Sequence, residues 1–267
     1  MTETQPLTRH PEAVHLLIDG PGEATRNMAL DESFFKRSRE ENLAILRFYT
    51  WARPSITVGY FQDINRYFDH EKIMKDAVPL VRRMTGGRGV MHDDELTYCF
   101  TISSRLLAPF NRQTVFGFVN GLFMAAFRRL GVKALLKGRS APREHLSGDC
   151  FRSISEFEVA TEDGEKLIGS AQYISEDCVI QQGSIPLNSS AGRRIDDYLL
   201  QRPPSHPSAL ETDQAGFLEA FQLELKSIVK NVYLNMIRPD EDLVTALIEK
   251  RYANPEWTWR PDARQDR

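Results

Sequence analysis

The run VRRMTGGRGVMHDDELTYCF, residues 81–100, decides how the chain is read. Its flanks, PLVRRMT and ELTYCFTIS, are rich in β-branched and aromatic residues and read as strands. Between them Gly86-Gly87 marks a turn. With no side chain in the way, main-chain N–H groups there can approach a ligand. Arg82, Arg83 and Arg88 surround the turn and can neutralise a phosphate or a carboxylate. The same residues also read as a hairpin turn with solvated arginines, and a Gly-Gly pair alone does not choose between the two.

Outward from this run the pattern alternates. AVHLLI reads as a strand closed by the turn DGPGE. ATRNMALDESFFKRSREE has helical spacing, with Met28, Leu30, Phe34 and Phe35 on one face. LAILRFYTW and SITVGYF read as strands joined at Arg53-Pro54, and FDHEKIMKDA as a short helix. TVFGFVNGLFMAAFRRLG is a second long helix, with Gly131 placed to cap it. From about Phe151 the pattern changes to hairpin strands, ISEFEVAT, EKLIGSAQYIS and CVIQQGSIPL, with a turn at Asp163-Gly164. A Pro-rich connector, RRIDDYLLQRPPSHPSAL, leads to two helices, DQAGFLEAFQLELKSIVKNVY and DEDLVTALIEKRY. No internal repeat is present. The expectation is an α+β fold: a mixed, largely antiparallel sheet with flanking helices. Residues 1–12 read as a loose tail, and residues 13–267 as a single domain in which 210–267 form a C-terminal helical extension.

Composition narrows the function. A chain of 267 residues with 41% hydrophobic content can bury one large core, and a net charge of −3 argues against a general nucleic-acid binder. No apolar run reaches the roughly 18 residues of a membrane span, and the polar opening MTETQPLTRHPE does not read as a signal peptide. The three cysteines, Cys99, Cys150 and Cys178, are odd in number and lack metal-ligand spacing, and the six histidines are scattered. Free thiols in a reducing cytoplasm, and no metal, are expected.

Three positions can carry chemistry. Cys150, in HLSGDCFRSISEFEV, follows a polar segment and precedes a strand, so it reads either as a reachable nucleophile or as a small buried hydrophobe. Cys99, mid-strand between aromatics, and Cys178, opening a strand, read as structural. Lys166, in GEKLIGSAQ, is a solvated hairpin charge or, beside a thiol, a group that lowers its pKa and shuttles its proton. Gly169 and Ser170 follow, small enough to leave room for a chain. His92 is a candidate general base, or a hydrogen-bonded structural group.

Five segments, in chain order, resemble the biotin/lipoate protein ligase superfamily: RNMALDESFF, ITVGYFQ, RRMTGGRGVMHDDELTY, EKLIGSAQ and IQQGSIPL, together spanning roughly residues 14 to 190. Within it the likeness is to LipM-type octanoyltransferases. Arg88 stands where lipoate ligases usually carry a third glycine. Cys150 in DCF stands where ligases usually carry Asn-Asp. The chain reads as ending in short helices, so the extra C-terminal domain of single-chain lipoate ligases is not expected. Gln182 and Gly89 depart from the histidine and alanine common in relatives.

The resemblance implies a cysteine acyltransferase of lipoate assembly. Cys150 would take an octanoyl group from an acidic acyl carrier protein, and Lys166 would activate the thiol. A lipoyl-domain protein, such as the glycine cleavage H protein or a dehydrogenase E2, would accept the chain on a lysine. The implied substrate-binding set is Arg82, Arg83, Thr85, Gly86, Gly87, Arg88, His92, Gly169 and Ser170, the last two as oxyanion donors. Arg82, Arg83, Lys137, Arg139, Arg143 and Arg152 would form a basic rim for the donor. No cofactor is needed, since exchange of a thioester followed by aminolysis is downhill. ATP and Mg²⁺ enter only if the chain is instead an ATP-dependent lipoate ligase. Two more readings fit the same residues: an amidotransferase that moves lipoyl or octanoyl groups between carrier domains, and a non-catalytic module that binds acyl carriers. A monomer is the default state.

Overall fold

The computed structural model describes residues 7–136, 159–161, 166–187, 195–200 and 213–260. The chain opens on strand β1 (Ala13–Gly22), crosses through helix α1 (Ala24–Glu41) and returns as β2 (Ala44–Trp51), parallel to β1. β6 (Leu96–Ser103), β10 (Cys178–Ile185) and β9 (Gly169–Ile174) then add antiparallel neighbours. β11 (Asn231–Leu234) closes the other edge, and the six-stranded order is β11-β1-β2-β6-β10-β9. The α+β architecture with a mixed, largely antiparallel sheet and flanking helices is the one expected.

The two-residue period of the strands sorts the core. In β2, Ala44, Leu46 and Phe48 face one side, and Tyr98, Phe100 and Ile102 of β6 join them. Helix α4 (Arg112–Arg129) covers that side with Phe118, Phe123 and Phe127, backed by Phe217 and Phe221 of α5 (Gln214–Ile228). Ile45 and Tyr49 face the opposite side, where α1 seats Met28, Leu30, Phe34 and Phe35, and α6 (Glu241–Leu247) adds Val244 and Leu247. Asn42 in the left-handed region ends α1, and Gly131 at φ 77° follows the end of α4 as expected.

A second, small sheet carries the glycine motif. β3 (Ser55–Val58) lies between β4 (Leu80–Arg82), parallel to it, and β5 (Val90–His92), antiparallel to it. Gly86-Gly87 is therefore no hairpin turn. The connection passes from one side of β3 to the other, which is why so many of its groups turn back onto β3.

The C-terminal region departs from the helices expected of it. KNVY, read as the end of a helix, leaves α5 after Ile228, and β11 pairs with β1 from Ala13↔Asn231 to Leu16↔Leu234. Pairing along an open sheet edge outweighs helical propensity in a segment rich in β-branched residues. After α6 a π-helical turn, Ile248–Tyr252, leads into α7 (Pro255–Thr258). The Asp163-Gly164 turn and most of the Pro-rich connector lie outside the described residues.

Candidate active site

A cleft opens where the small sheet meets the large one. Gly169, Ser170 and Ala171 of β9 and Gln182, Gly183 and Ser184 of β10 line one side. Thr57, Val90 and His92 line the other, with Met28, Tyr49 and Trp51 between them and Arg83 beside them. The cleft is shallow, with about 30 Å³ enclosed beneath an open mouth. Its exposed surface is mainly apolar, although half of the lining residues carry polar side chains, a composition that can seat an apolar ligand with a polar end.

The arginines of the motif divide their work. Arg83 is buried and donates through Nη2 to the carbonyls of Gly86 (2.6 Å) and Arg88 (2.8 Å), and through Nη1 to Thr57 O (3.3 Å) and Oγ1 (3.2 Å). It shapes the loop and also touches the cleft. Gly87 sits at φ 88°, and a Cβ there would lie 2.6 Å from the Arg83 guanidinium. Arg82 is fully buried and is not among the cleft's lining residues. Its guanidinium donates to the carbonyls of Gly59, Tyr60 and Gln62 and, across the molecule, to those of Trp257, Thr258 and Arg260. The expectation of Arg82 and Arg83 as an exposed basic rim fails on their burial. Guanidiniums with several donors in a rigid fork suit clusters of carbonyls, and sequence alone does not distinguish that use from anion binding. The other rim candidates, Lys137, Arg139, Arg143 and Arg152, lie outside the described residues.

Thr85 joins the motif to the main sheet. Its hydroxyl donates to Gln182 Oε1 at 2.8 Å, and Gln182 Nε2 donates to Asp31 Oδ2 at 2.6 Å. Asp31 also accepts from Tyr49 OH (2.8 Å) and Arg47 Nη1 (2.9 Å), and Arg47 reaches on to Asp19 at 2.6 Å. Burial raises the Asp31 carboxyl, while Arg47, Gln182 and Tyr49 oppose that rise by stabilising its charge. Burial, reinforced by the Asp31 charge, holds the Tyr49 phenol well above its usual range, so it stays a donor.

His92 lies in the cleft wall with both nitrogens engaged: Nδ1 with Glu95 Oε1 at 2.5 Å and Nε2 with Thr57 Oγ1 at 2.7 Å. The Trp51 indole stacks on it at 4.0 Å. On the other side of the cleft, Ser170 Oγ pairs with Tyr98 OH at 2.7 Å. Gly169 and Ser170 sit on β9 opposite Ser184 and Gly183. A Cβ on Gly183 would come within 2.3 Å of the Tyr98 ring, so that glycine keeps the strand and the tyrosine in contact.

Lys166 is only 2% exposed, on a bridge to Ala160 just before β9. An ammonium that deep is uncommon on a purely structural hairpin. Cys150 lies outside the described residues. The other two thiols are inside the core: burial pushes Cys99 well above the ordinary thiol range and Cys178 up to about 12. Among the described residues, no group of three or more His, Cys, Asp or Glu side chains could hold a metal, and no helix is long and apolar enough to cross a membrane.

Residues 23–212 match the family described as the lipoyl protein ligase A/B catalytic domain. The chain belongs to that family. Membership places it in the biotin/lipoate ligase superfamily of enzymes, in close relation to the LipM-type octanoyltransferases. Octanoyltransferase LipM of an Exiguobacterium species is 31% identical over 277 residues, covering 92% of this chain and 98% of that one. The LipM of Moorella thermoacetica is 37% identical over 186 residues, 66% of each chain. Two solved structures share the fold. The bipartite lipoate protein ligase of Thermoplasma acidophilum superposes with a TM-score of 0.72 at 21% identity, over 94% of this chain and 97% of that one. A lipoate-protein ligase A bound with ATP gives 0.74 at 20% identity, over 93% and 98%.

Of the residues singled out from sequence, Arg83, His92, Gly169 and Ser170 line one cleft, and Thr85 and Gly86 hold its frame. Arg88 contributes its carbonyl to Arg83. Sequence reading passed over Thr57, Glu95, Trp51, Asp31 and Arg47. Two signals were available in it: Asn27 and Asp31 lie four apart on the apolar face of a helix, and Arg47 interrupts an otherwise apolar strand.

Proposed function

We propose that this member of the lipoyl protein ligase A/B family is an octanoyltransferase that works through a thioester on Cys150. The Cys150 thiolate attacks the octanoyl thioester of acyl carrier protein. Its C–S bond forms as the bond to the carrier's phosphopantetheine sulfur breaks. The amine of a lipoyl-domain lysine then attacks the enzyme thioester; a C–N bond forms, and the sulfur leaves and recovers a proton through Lys166. An amide lies below a thioester in free energy, so ATP takes no part.

The observation that carries this reading is the fate of the thiols. Of three cysteines, Cys99 and Cys178 are locked in the core with raised pKa values. Thiol chemistry therefore falls to Cys150, which lies in the segment leading to Lys166 and the cleft wall at Gly169. Met28, Tyr49, Trp51, Val90 and Ala171 suit a saturated chain, and main-chain N–H groups near Gly169 and Ser170 would face the developing oxyanion. The relatives named Octanoyltransferase LipM support octanoyl transfer as the reaction class. The acceptor would be a lipoyl domain of the glycine cleavage H or dehydrogenase E2 kind, and the enzyme a cytoplasmic monomer.

The test is transfer in the absence of ATP. Octanoyl-acyl carrier protein, enzyme and an apo lipoyl domain are mixed, and the mass of the lipoyl domain is read. Octanoylation lost in Cys150→Ala supports the reading. Modification that requires ATP and a free fatty acid, and that survives Cys150→Ala, replaces it with a ligase.

A further inference from the structure

We propose that Glu95, His92 and Thr57 work as one unit whose task is to aim Arg83, and that the imidazole is a positioning residue rather than a base. The inference rests on the cleft being the acyl site proposed above, and it assigns roles to groups that reading leaves unused.

The hydrogen bonds on either side of His92 suggest the direction of the chain. A guanidinium only donates, so Thr57 Oγ1 accepts from Arg83 Nη1 at 3.2 Å. We assign the Thr57 hydroxyl proton to His92 Nε2, 2.7 Å away. That makes Nε2 an acceptor and places the ring proton on Nδ1, facing Glu95 Oε1 at 2.5 Å. Glu95 is an acceptor throughout: Thr97 Oγ1 donates to Oε1 at 2.8 Å, and the Ser184 hydroxyl donates to Oε2. Thr97 accepts in turn from Trp51 Nε1 at 2.7 Å, and the Trp51 ring lies over His92 with an interplanar angle of 18°. Every donor meets an acceptor, and the stacked ring cannot turn without breaking several bonds at once.

This order has a mechanical consequence. Arg83 spans from Thr57 to the carbonyls of Gly86 and Arg88 on either side of Gly87. Its Nη2 occupies the space a side chain on residue 87 would need. The shape of the glycine loop is thus set by the guanidinium, and the guanidinium by Thr57. A base acting on a substrate would need a free ring nitrogen, and His92 has both committed.

The experiment compares His92→Gln, His92→Asn and Thr57→Val. The longer glutamine amide can put its oxygen where Nε2 sits and accept from Thr57. Asparagine keeps only the Glu95 side. Valine is isosteric with threonine, leaves the Thr57 carbonyl bond intact and loses only the hydroxyl. Hydrogen–deuterium exchange of peptides covering residues 83–90 reads the loop without reference to activity. Thr57→Val should exchange about ten- to a hundredfold faster there, the effect of losing one charge-assisted hydrogen bond, and His92→Asn about two- to tenfold faster, the effect of losing one neutral bond, with His92→Gln near wild type. In octanoyl transfer the first two should raise KM for the donor about tenfold with a smaller change in kcat, since what they lose is ligand positioning. Unchanged exchange in Thr57→Val, or a loss of kcat shared equally by His92→Gln and His92→Asn, overturns the proposal. If the exchange pattern appears while the wild type transfers no octanoyl group, the positioning unit stands and the proposed reaction falls.

Discussion

Replacing Arg82 with leucine tests the structural account most severely. The guanidinium is fully buried and bonds to six main-chain carbonyls, three in residues 59–62 and three in residues 257–260. Trp257 Nε1 returns a bond to Arg82 O at 2.8 Å, which the substitution leaves in place. A hydrogen bond from a charged donor is worth about 1.5–3 kcal/mol net, but a guanidinium has only five N–H groups to share among these acceptors. Some freed carbonyls near Arg260 can find water, so the loss should be about 4–6 kcal/mol rather than the full sum. Against a total stability of about 5–15 kcal/mol this removes much of the margin, equivalent to roughly 10–20 °C in Tm. Thermal and urea melts of wild type and Arg82→Leu measure it, and limited proteolysis shows whether residues 257–260 come loose first. A change in stability below about 0.5 kcal/mol, the range of ordinary surface substitutions, would refute the clamp.

Four further outcomes follow from the geometry. In native protein at pH 8 a disulfide-exchange reagent should titrate one fast thiol, and none in Cys150→Ala, because Cys99 and Cys178 are buried and hold their protons. Since the folded Cys178 value is raised to about 12 from 9.0, its contribution to stability is whole below pH 9 and is lost as pH rises toward 12; Cys178→Ala should flatten that part of the stability–pH curve. Gly59→Ala should lower both stability and cleft function, because the new Cβ would stand 1.9 Å from Gly87 O and neither backbone can yield cheaply; a cost of about 2–3 kcal/mol or more is expected by urea melt. Gln182→Leu leaves the buried Thr85 hydroxyl and Asp31 each short of a partner and should cost about 2–4 kcal/mol, while Gln182→His should recover most of it.

Much of this architecture was legible. The helix 24–41 showed its apolar stripe, Gly131 marked the end of the next long helix, and strand alternation separated the two faces of the sheet. Failures came where distant segments decide the outcome. KNVY becomes a strand only because β1 offers an open edge, which local propensity cannot reveal. The arginine–glycine run raised a ligand site as one of two readings, and composition could not tell an arginine that meets a ligand from one that binds carbonyls brought from residues 257–260. Glu95 stood in plain view three residues after His92, but its partners Thr97 and Ser184 come from two different strands.

The central claim is the covalent intermediate. Its most direct test is the intact mass of the enzyme after mixing with octanoyl-acyl carrier protein, without ATP, beside Cys150→Ala. A gain of one octanoyl group, released by hydroxylamine and missing from the variant, is the expected result. An unmodified wild-type protein, or an adduct that persists in Cys150→Ala, would contradict the account.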